Sequence, residues 1–276
     1  MNYKIVSDSA SNVFELPDVS FSCVPLKVVC GEKEFTDTPD LDVDSMIDYL
    51  KVTKSRSGTS CPNVSEWAEA FSGDDDGVFA VTITSNLSGS YNVAEQAKAV
   101  VSEKTDKPVH VFDTLSAGPE MRLIVEKIAE LTKLGCKFSE IISKVNEYMK
   151  KTKLLFCLES LTNLARNGRV SPARAKIAGV LGIRIVGKAS DEGTLQELHK
   201  ARGAEKGIST LIKEMFAQGF CGGKVRIAHC RNMNAAQKIR DAVLSHFPKC
   251  DIFIEKCAAL CSFYAEQGGI LVGYEV

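Results

Sequence analysis

The sequence predicts an α/β protein in two parts, an N-terminal layered domain with a mainly parallel sheet over residues 1–153 and a C-terminal two-layer α/β domain over residues 154–276. Three observations lead there. At 276 residues the chain exceeds the usual size of one domain. Its first half alternates short apolar runs with helical periodicity, the pattern of a sheet flanked by helices. Its character then changes at the apolar run Leu154 to Leu158, beyond which a hairpin-like stretch and a new alternation of strands and helices begin.

Taken in order, Lys4 to Val6 is a strand that runs into Ser7-Asp8-Ser9, and Phe21 to Val29 is a second extended run. Leu41 to Leu50 is a helix with Asp42 and Asp44 in its first turn, where negative charge meets the positive end of the helix dipole. Pro62 introduces a short helix, Asn63 to Phe71, that carries the single tryptophan, Trp67. Gly77 to Ile83 is a buried strand, and Ser88 to Glu103 a helix with Val93, Ala94, Ala97 and Val100 or Val101 on one face. Pro108 to Phe112 is a strand closed by Asp113-Thr114, and helices Gly118 to Lys133 and Ser139 to Lys151 follow. In the second part come a helical Leu161 to Ala165, a small-residue helix Pro172 to Leu181, and a strand Arg184 to Val186. Ser190 to Leu195 then reads as a hairpin turn into a strand with Leu198 and His199. A helix Ala204 to Gln218, a strand Val225 to Cys230, a helix Ala235 to Ser245 and a strand Asp251 to Ile254 come next. A cysteine-rich helical patch and an apolar run after Gly268-Gly269 close the pattern.

The composition removes several classes of function. With 45% hydrophobic residues, 25% charged and a formal charge of -1, neither disorder nor a polyanionic nucleic-acid partner is expected. No apolar run reaches the ~20 residues that span a bilayer, and the chain opens on a strand pattern in place of a signal peptide. A cytoplasmic protein with no integral membrane contact is expected, free to touch a membrane surface transiently. Ten cysteines lie between Cys23 and Cys261 without a C-x-x-C pair or a neighbouring histidine set, so reduced thiols are expected and neither a metal nor a cofactor. No G-x-G-x-x-G follows the first strand and no P-loop is present, so nucleotide binding is not supported.

Two hydroxyl-rich stretches carry the functional signal: Gly58 to Pro62, with Thr59 and Ser60, and Thr84 to Tyr91, with Ser88 and Gly89. Each is expected where a loop turns into a helix. A helix start leaves N–H groups unpaired and partly positive, so hydroxyls gathered there can hold a carboxylate or phosphate without a cation. Taken singly, either stretch reads first as an ordinary N-cap, since caps far outnumber ligand sites; the pair points to a site. Three strands end in polar loops, Asp8-Ser9, Thr84-Ser85 and Asp113-Thr114, and open α/β sheets bind ligands at the carboxyl ends of their strands.

The order of these motifs along nearly the whole chain resembles the bacterial DegV family, fatty-acid-binding proteins that serve fatty acid kinase. The marks are Ser7-Asp8-Ser9, Val24-Pro25-Leu26, Thr59-Ser60-Cys61-Pro62, Leu87-Ser88-Gly89-Ser90-Tyr91, Asp113-Thr114, Leu161 to Val170 with its Asn-Gly-Arg, Lys200-Ala201-Arg202 and Gly268-Gly269. The resemblance implies a DegV-like fold with one long-chain fatty acid in an apolar tunnel between two α/β domains. It implies a carboxylate held by Thr59, Ser60, Ser88 and Gly89, and a kinase catalytic subunit as partner that phosphorylates the bound acid. Arg169 and Arg202 match basic positions near the head group or at the docking surface. The family's histidine before the paired glycines is absent here, and its place falls at or near Tyr264, whose phenol can donate one hydrogen bond but does not ordinarily titrate near neutrality. Phe156, Ile177, Leu181, Phe263 and Ile270 are tunnel candidates or plain core.

Two other readings stand beside the carrier. One is a lipid or apolar-carboxylate sensor or store with no kinase partner. The other is a serine hydrolase or acyltransferase using Ser88, although Asn86 breaks the G-x-S-x-G spacing and no base is identifiable among the four histidines. No catalytic residue is assigned.

Overall fold

The described residues form three sheets, divided where the apolar runs are interrupted. In a computed structural model that describes residues 2–171, 173 and 182–276, β1 (Tyr3–Asp8), β2 (Ser20–Val24), β6 (Gly77–Thr82) and β7 (Val109–Asp113) form a parallel sheet in the order β2-β1-β6-β7. All of β6 is buried, as expected of a central strand covered on both faces. On one face lie α2 (Val64–Phe71) and α3 (Ser90–Ser102), packed around Trp67 and Phe71.

The extended run over Phe21 to Val29 is two strands. Pro25 lacks an N–H for a ladder, and beyond it β3 (Lys27–Cys30) leaves the parallel sheet to pair antiparallel with β4 (Lys33–Thr36) and β5 (Ser57–Ser60). Helix α1 (Val43–Val52) connects β4 to β5. Thr59 and Ser60 therefore end a strand, opposite Val28 and Lys27, and do not start a helix. The helix begins at Val64 behind Asn63, whose side chain accepts the Glu66 N–H at 3.0 Å while Glu66 returns a bond to the Asn63 N–H.

The second sheet begins with β8 (Thr152–Leu158) and continues through β9 (Ile183–Ala189), β10 (Leu195–Arg202), β11 (Val225–His229), β12 (Ile252–Lys256) and β13 (Ile270–Glu275), in the order β10-β9-β8-β13-β11-β12. Alternation along β8 sends Leu155 and Cys157 to one face, against α7 (Ala204–Ala217) and α8 (Met233–His246), and Phe156 and Leu158 to the other. The helix expected over Pro172 to Leu181 lies outside the described residues, with the tunnel candidates Ile177 and Leu181.

Helix α4 (Pro119–Lys133) packs against strands of both sheets. That explains its nine buried side chains, Met121, Leu123, Ile124, Val125 and Ile128 among them, in a helix whose sequence is otherwise rich in charge. Helix α5 (Phe138–Met149) packs on α4, and α9 (Ala259–Ala265) packs on α6 (Thr162–Arg166), α1 and β3.

Candidate functional site

At the carboxyl end of the parallel sheet the three polar loops interlock. Asp8 Oδ2 accepts the Ile83 N–H at 3.0 Å and the Ser90 hydroxyl at 2.7 Å, and its Oδ1 accepts the Ala10 N–H at 3.2 Å. Asp113 Oδ1 accepts the Ser85 N–H at 3.1 Å, and Thr114 donates to the Thr82 carbonyl at 2.8 Å. This lattice fixes the turn from β6 into α3. The N-cap of α3 is Gly89, with no side-chain cap, so Ser88 lies just outside the helix. Its Oγ accepts the Ser90 N–H at 3.3 Å, which leaves its own hydrogen to donate.

The second hydroxyl stretch meets the first. A Cβ at Gly89 would stand 3.3 Å from Cys61 Sγ, and one at Gly58 would stand 3.0 Å from Asn167 Oδ1, so absent side chains let three segments close together. Thr59 Oγ1 and the Tyr264 hydroxyl are 2.8 Å apart. Two hydroxyls that share one hydrogen bond retain one free O–H between them. Arg169 is anchored through Nε to the Leu87 carbonyl at 3.0 Å and through Nη1 to the Asn167 carbonyl, with its guanidinium 6.0 Å from the Tyr264 ring.

These four side chains, Thr59, Ser88, Arg169 and Tyr264, line a cavity of about 830 Å³, its opening to solvent included. The rest of the wall is almost wholly apolar. The first part supplies Leu26, Ile83, Leu87 and Leu115, and the second supplies Leu154, Phe156, Leu158 and Leu271 from the open face of its sheet, with Leu260 and Cys261 from α9. The other hydroxyls in the wall are engaged: Thr84 donates to the Gly193 carbonyl at 2.9 Å, Ser116 to buried Glu120, and Thr194 Oγ1 lies 2.9 Å from Ser190 Oγ.

Several expected residues fall elsewhere. Ser60 is exposed and outside the cavity wall, because alternation along β5 turns it away when Thr59 turns in. Gly89 lines a shallower cleft outside Ser88. Arg202 is exposed at the end of edge strand β10, opposite Ile183, and does not reach the cavity. Phe156 lines the wall, whereas Phe263 and Ile270 are buried core. Missing from the sequence reading is the support behind the site: Asp8, and Asp37, which accepts the Ala259 N–H at 2.7 Å and the Leu260 N–H at 3.0 Å and so caps the helix that carries Tyr264. The signal for Asp8 was its place at the end of a strand beside serines; nothing local marks Asp37.

Burial dominates the electrostatics. Burial pushes the Asp8 carboxyl up to about 7 and that of Asp37 up to about 6, with hydrogen bonds to the charged forms pulling the other way. Burial likewise raises the thiols of Cys23, Cys61 and Cys261. Among the described residues no three His, Cys, Asp or Glu side chains gather as a metal site, and no helix is long and apolar enough to cross a membrane. A second cavity near His229 has its charged walls paired internally, Arg231 with Asp44 and Asp48 and Lys256 with Asp44.

Fold and site together define a two-part α/β protein with an apolar chamber between its sheets and a cluster of polar groups in its wall. The chain belongs to the DegV family, described as uncharacterised proteins, whose family model matches residues 2–275. It is 40% identical over 281 residues to a DegV domain-containing protein of Streptococcus pneumoniae, covering all of both chains. Among solved structures it resembles the fatty acid kinase (Fak) B3 protein of Streptococcus pneumoniae loaded with linoleic acid, at 40% identity and a TM-score of 0.97 over 100% of each chain. It also resembles a DegV family protein from Eubacterium eligens loaded with heptadecanoic acid, at 43% identity and a TM-score of 0.96 over 99% of each chain.

Proposed function

We propose that this chain holds one long-chain fatty acid in the chamber between its sheets and presents the carboxylate to the catalytic subunit of a fatty acid kinase. The observation that carries the reading is the grouping of donors in the chamber wall: the free hydroxyls of Ser88 and of the Thr59 and Tyr264 pair, bridged by Arg169, interrupt a wall that is otherwise mostly apolar. An acyl chain removed from water gains ~0.8 kcal/mol per methylene, so the wall supplies affinity and the hydroxyls supply orientation. The carboxylate accepts hydrogen bonds from Ser88 and from whichever of Thr59 and Tyr264 keeps a free O–H, with Arg169 alongside. Tyr264, at the place of the family's histidine, thus donates either to the carboxylate or to Thr59. Phosphoryl transfer depends mostly on positioning and electrostatics, which a fixed, outward-facing carboxylate serves. Likeness to a linoleate-loaded Fak B3 protein supports the same reading.

A carrier also fits Ser88 better than a hydrolase does. Among the described residues no imidazole or carboxylate bonds its Oγ, and the nearby carboxylate, Asp8, holds Ser90. Mass spectrometry of a solvent extract from purified, denatured protein tests the binding. A near-stoichiometric long-chain acid, depleted in a Thr59→Ala, Ser88→Ala double variant, is expected; no lipid in either protein rules the carrier out. Acyl phosphate formation with a fatty acid kinase catalytic subunit and ATP tests presentation, and binding without phosphorylation would leave a sensor or store.

A further inference from the structure

Directly behind the polar end of the chamber lie two buried carboxylates that the carrier reading leaves without a task. Asp8 is fully buried and bonds three donors, two of which, Ile83 N–H and Ser90 Oγ–H, bracket the loop that bears Ser88. Asp37, 1% exposed, holds the first turn of the helix that bears Tyr264. Each half of the head-group site is therefore suspended from its own carboxylate, and the two carboxylates lie near enough for the charge on Asp37 to act on Asp8.

What surrounds the pair is unusual for buried acids, since among the described residues neither forms a salt bridge. Asp8 faces the thiols of Cys23 from β2, Cys61 from beyond β5 and Cys261 from α9, all of which burial keeps protonated, and the Asp37 carboxylate. Glu66 and Glu255 act on the same thiols, and each is paired with a cation of its own, Lys27 and Arg122. Arg169 lines the chamber beside Ser88, held by the Leu87 and Asn167 carbonyls.

A bound carboxylate would place a further negative charge beside Ser88, two residues from the Ser90 hydroxyl that Asp8 holds. The geometry points to Asp8 as a positioning residue of the carboxylate site that takes up a proton from solvent when an acyl carboxylate docks. This rests on the carrier reading above. The step is an exchange of one proton: with the proton on Oδ2, the Asp8 O–H donates to Ser90 Oγ, reversing the present bond, while Oδ1 still accepts from the Ala10 N–H. The loop is kept in place and the number of buried negative charges does not rise. Because Asp8 already titrates at about 7, a nearby anion has only to move it upward for the uptake to fall in the neutral range.

The test is calorimetric titration of the delipidated full chain with hexadecanoate, in two buffers of different ionisation heat, from about pH 6 to about pH 8.5. Wild type is expected to take up a sizeable fraction of a proton per acid bound near pH 7, with affinity falling at least threefold across that range. The Asp8→Asn variant is expected to lose most of that proton uptake and to show a shallower pH profile, with Asp37 and Glu120, both raised to about 6, accounting for what remains at the acid end of the range. Ser90→Ala, which removes a bond that favours charged Asp8, is expected to move the wild-type midpoint to higher pH and serves if the Asn variant does not fold. Buffer-independent heats in wild type, unchanged uptake in Asp8→Asn or an unmoved midpoint in Ser90→Ala overturns the assignment while leaving the carrier intact. A chain that binds no acid at any pH overturns both.

Discussion

The two large sheets serve the same chamber in different ways. The parallel sheet lends its ends: the loops after β1, β6 and β7, locked together by Asp8, Asp113 and Thr114, carry Ser88, and Thr59 joins it from β5 of the small antiparallel sheet. The mixed sheet lends a face, Leu154, Phe156, Leu158 and Leu271, and its loops do not build the polar end except through Arg169 and the α9 segment. Parallel strands bring every carboxyl end to one edge, where helix starts and turns can cluster polar groups. An antiparallel neighbour such as β13 places alternate strand ends at opposite edges, so that sheet is better suited to offering an uninterrupted apolar surface. Affinity should therefore belong to the face and orientation to the ends.

The face can be tested with the ligand alone. Across saturated acids of increasing length, binding is expected to tighten about fourfold per methylene, or roughly a thousandfold over five or six methylenes, until the tail fills the chamber. Calorimetry or competition against a fluorescent acid measures the series. A flat series would assign the affinity to the head group and break the division between the sheets.

The ends are the next largest effect. Removing the Ser88 and Thr59 hydroxyls together is expected to weaken binding by about ten- to a hundredfold, since a hydrogen bond to a charged group contributes ~1.5–3 kcal/mol and water partly replaces it. The methyl ester of the same acid, which has no carboxylate to orient, is expected to bind wild type and the double variant equally. If the ester also discriminates between them, the hydroxyls shape the wall and do not read the head group.

How much of this was legible in the sequence follows the same divide. Strand ends with serines and acids announce themselves locally, so the polar loops and the mainly parallel sheet that they close were within reach. The apolar wall was not, because a residue such as Leu154 reads the same whether it faces a helix or a cavity; only its partner across the interface decides. Thr59 reads as part of a helix start and is in a strand: Pro62 resembles a helix entry, yet the pairing of Gly58 and Thr59 with Val29 and Val28 comes from a strand about thirty positions earlier. Ser60 is a candidate only by adjacency, which a period of two defeats. Asp37 is linked to Tyr264 through a helix more than two hundred positions later, a contact with no local trace.

Stability offers a smaller test of the ends. Asp8, Asp37 and Glu120 are raised from ordinary values of 3.8, 3.8 and 4.5 to about 7, about 6 and about 6, chiefly by burial. The folded chain keeps these protons at a pH where the unfolded chain has lost them, so their contribution is complete below about pH 4 and is lost as pH rises through about 6 to 7. Thermal unfolding of delipidated protein is expected at a lower temperature at pH 8 than at pH 5.5, and Asp8→Asn is expected to flatten that difference. Surface carboxylates such as Asp44 and Asp48, depressed by Arg231, act in the opposite sense but at lower pH. Asp37→Ala, which strips the cap from α9, is expected to lose ~1–2 kcal/mol in denaturant unfolding at pH 5.5. An Asp37→Ala variant as stable as wild type would show that α9 is held by packing alone.

The smallest expected effect is the most specific. Arg202→Ala and Ser60→Ala should change fatty-acid affinity by less than about twofold, because neither side chain lines the chamber and exposed polar groups usually contribute little. Arg202 lies on the edge strand of the sheet that lends only a face, so any role it has must act outside the bound acid. If the Arg202→Ala variant binds acid normally but is phosphorylated more slowly by a kinase subunit, with the loss appearing in the KM for the carrier, the residue belongs to a docking surface. A matching loss of acid affinity would instead mean that edge strand β10 moves onto the chamber when the acid binds, and the separation of face from ends would hold only for the unliganded chain.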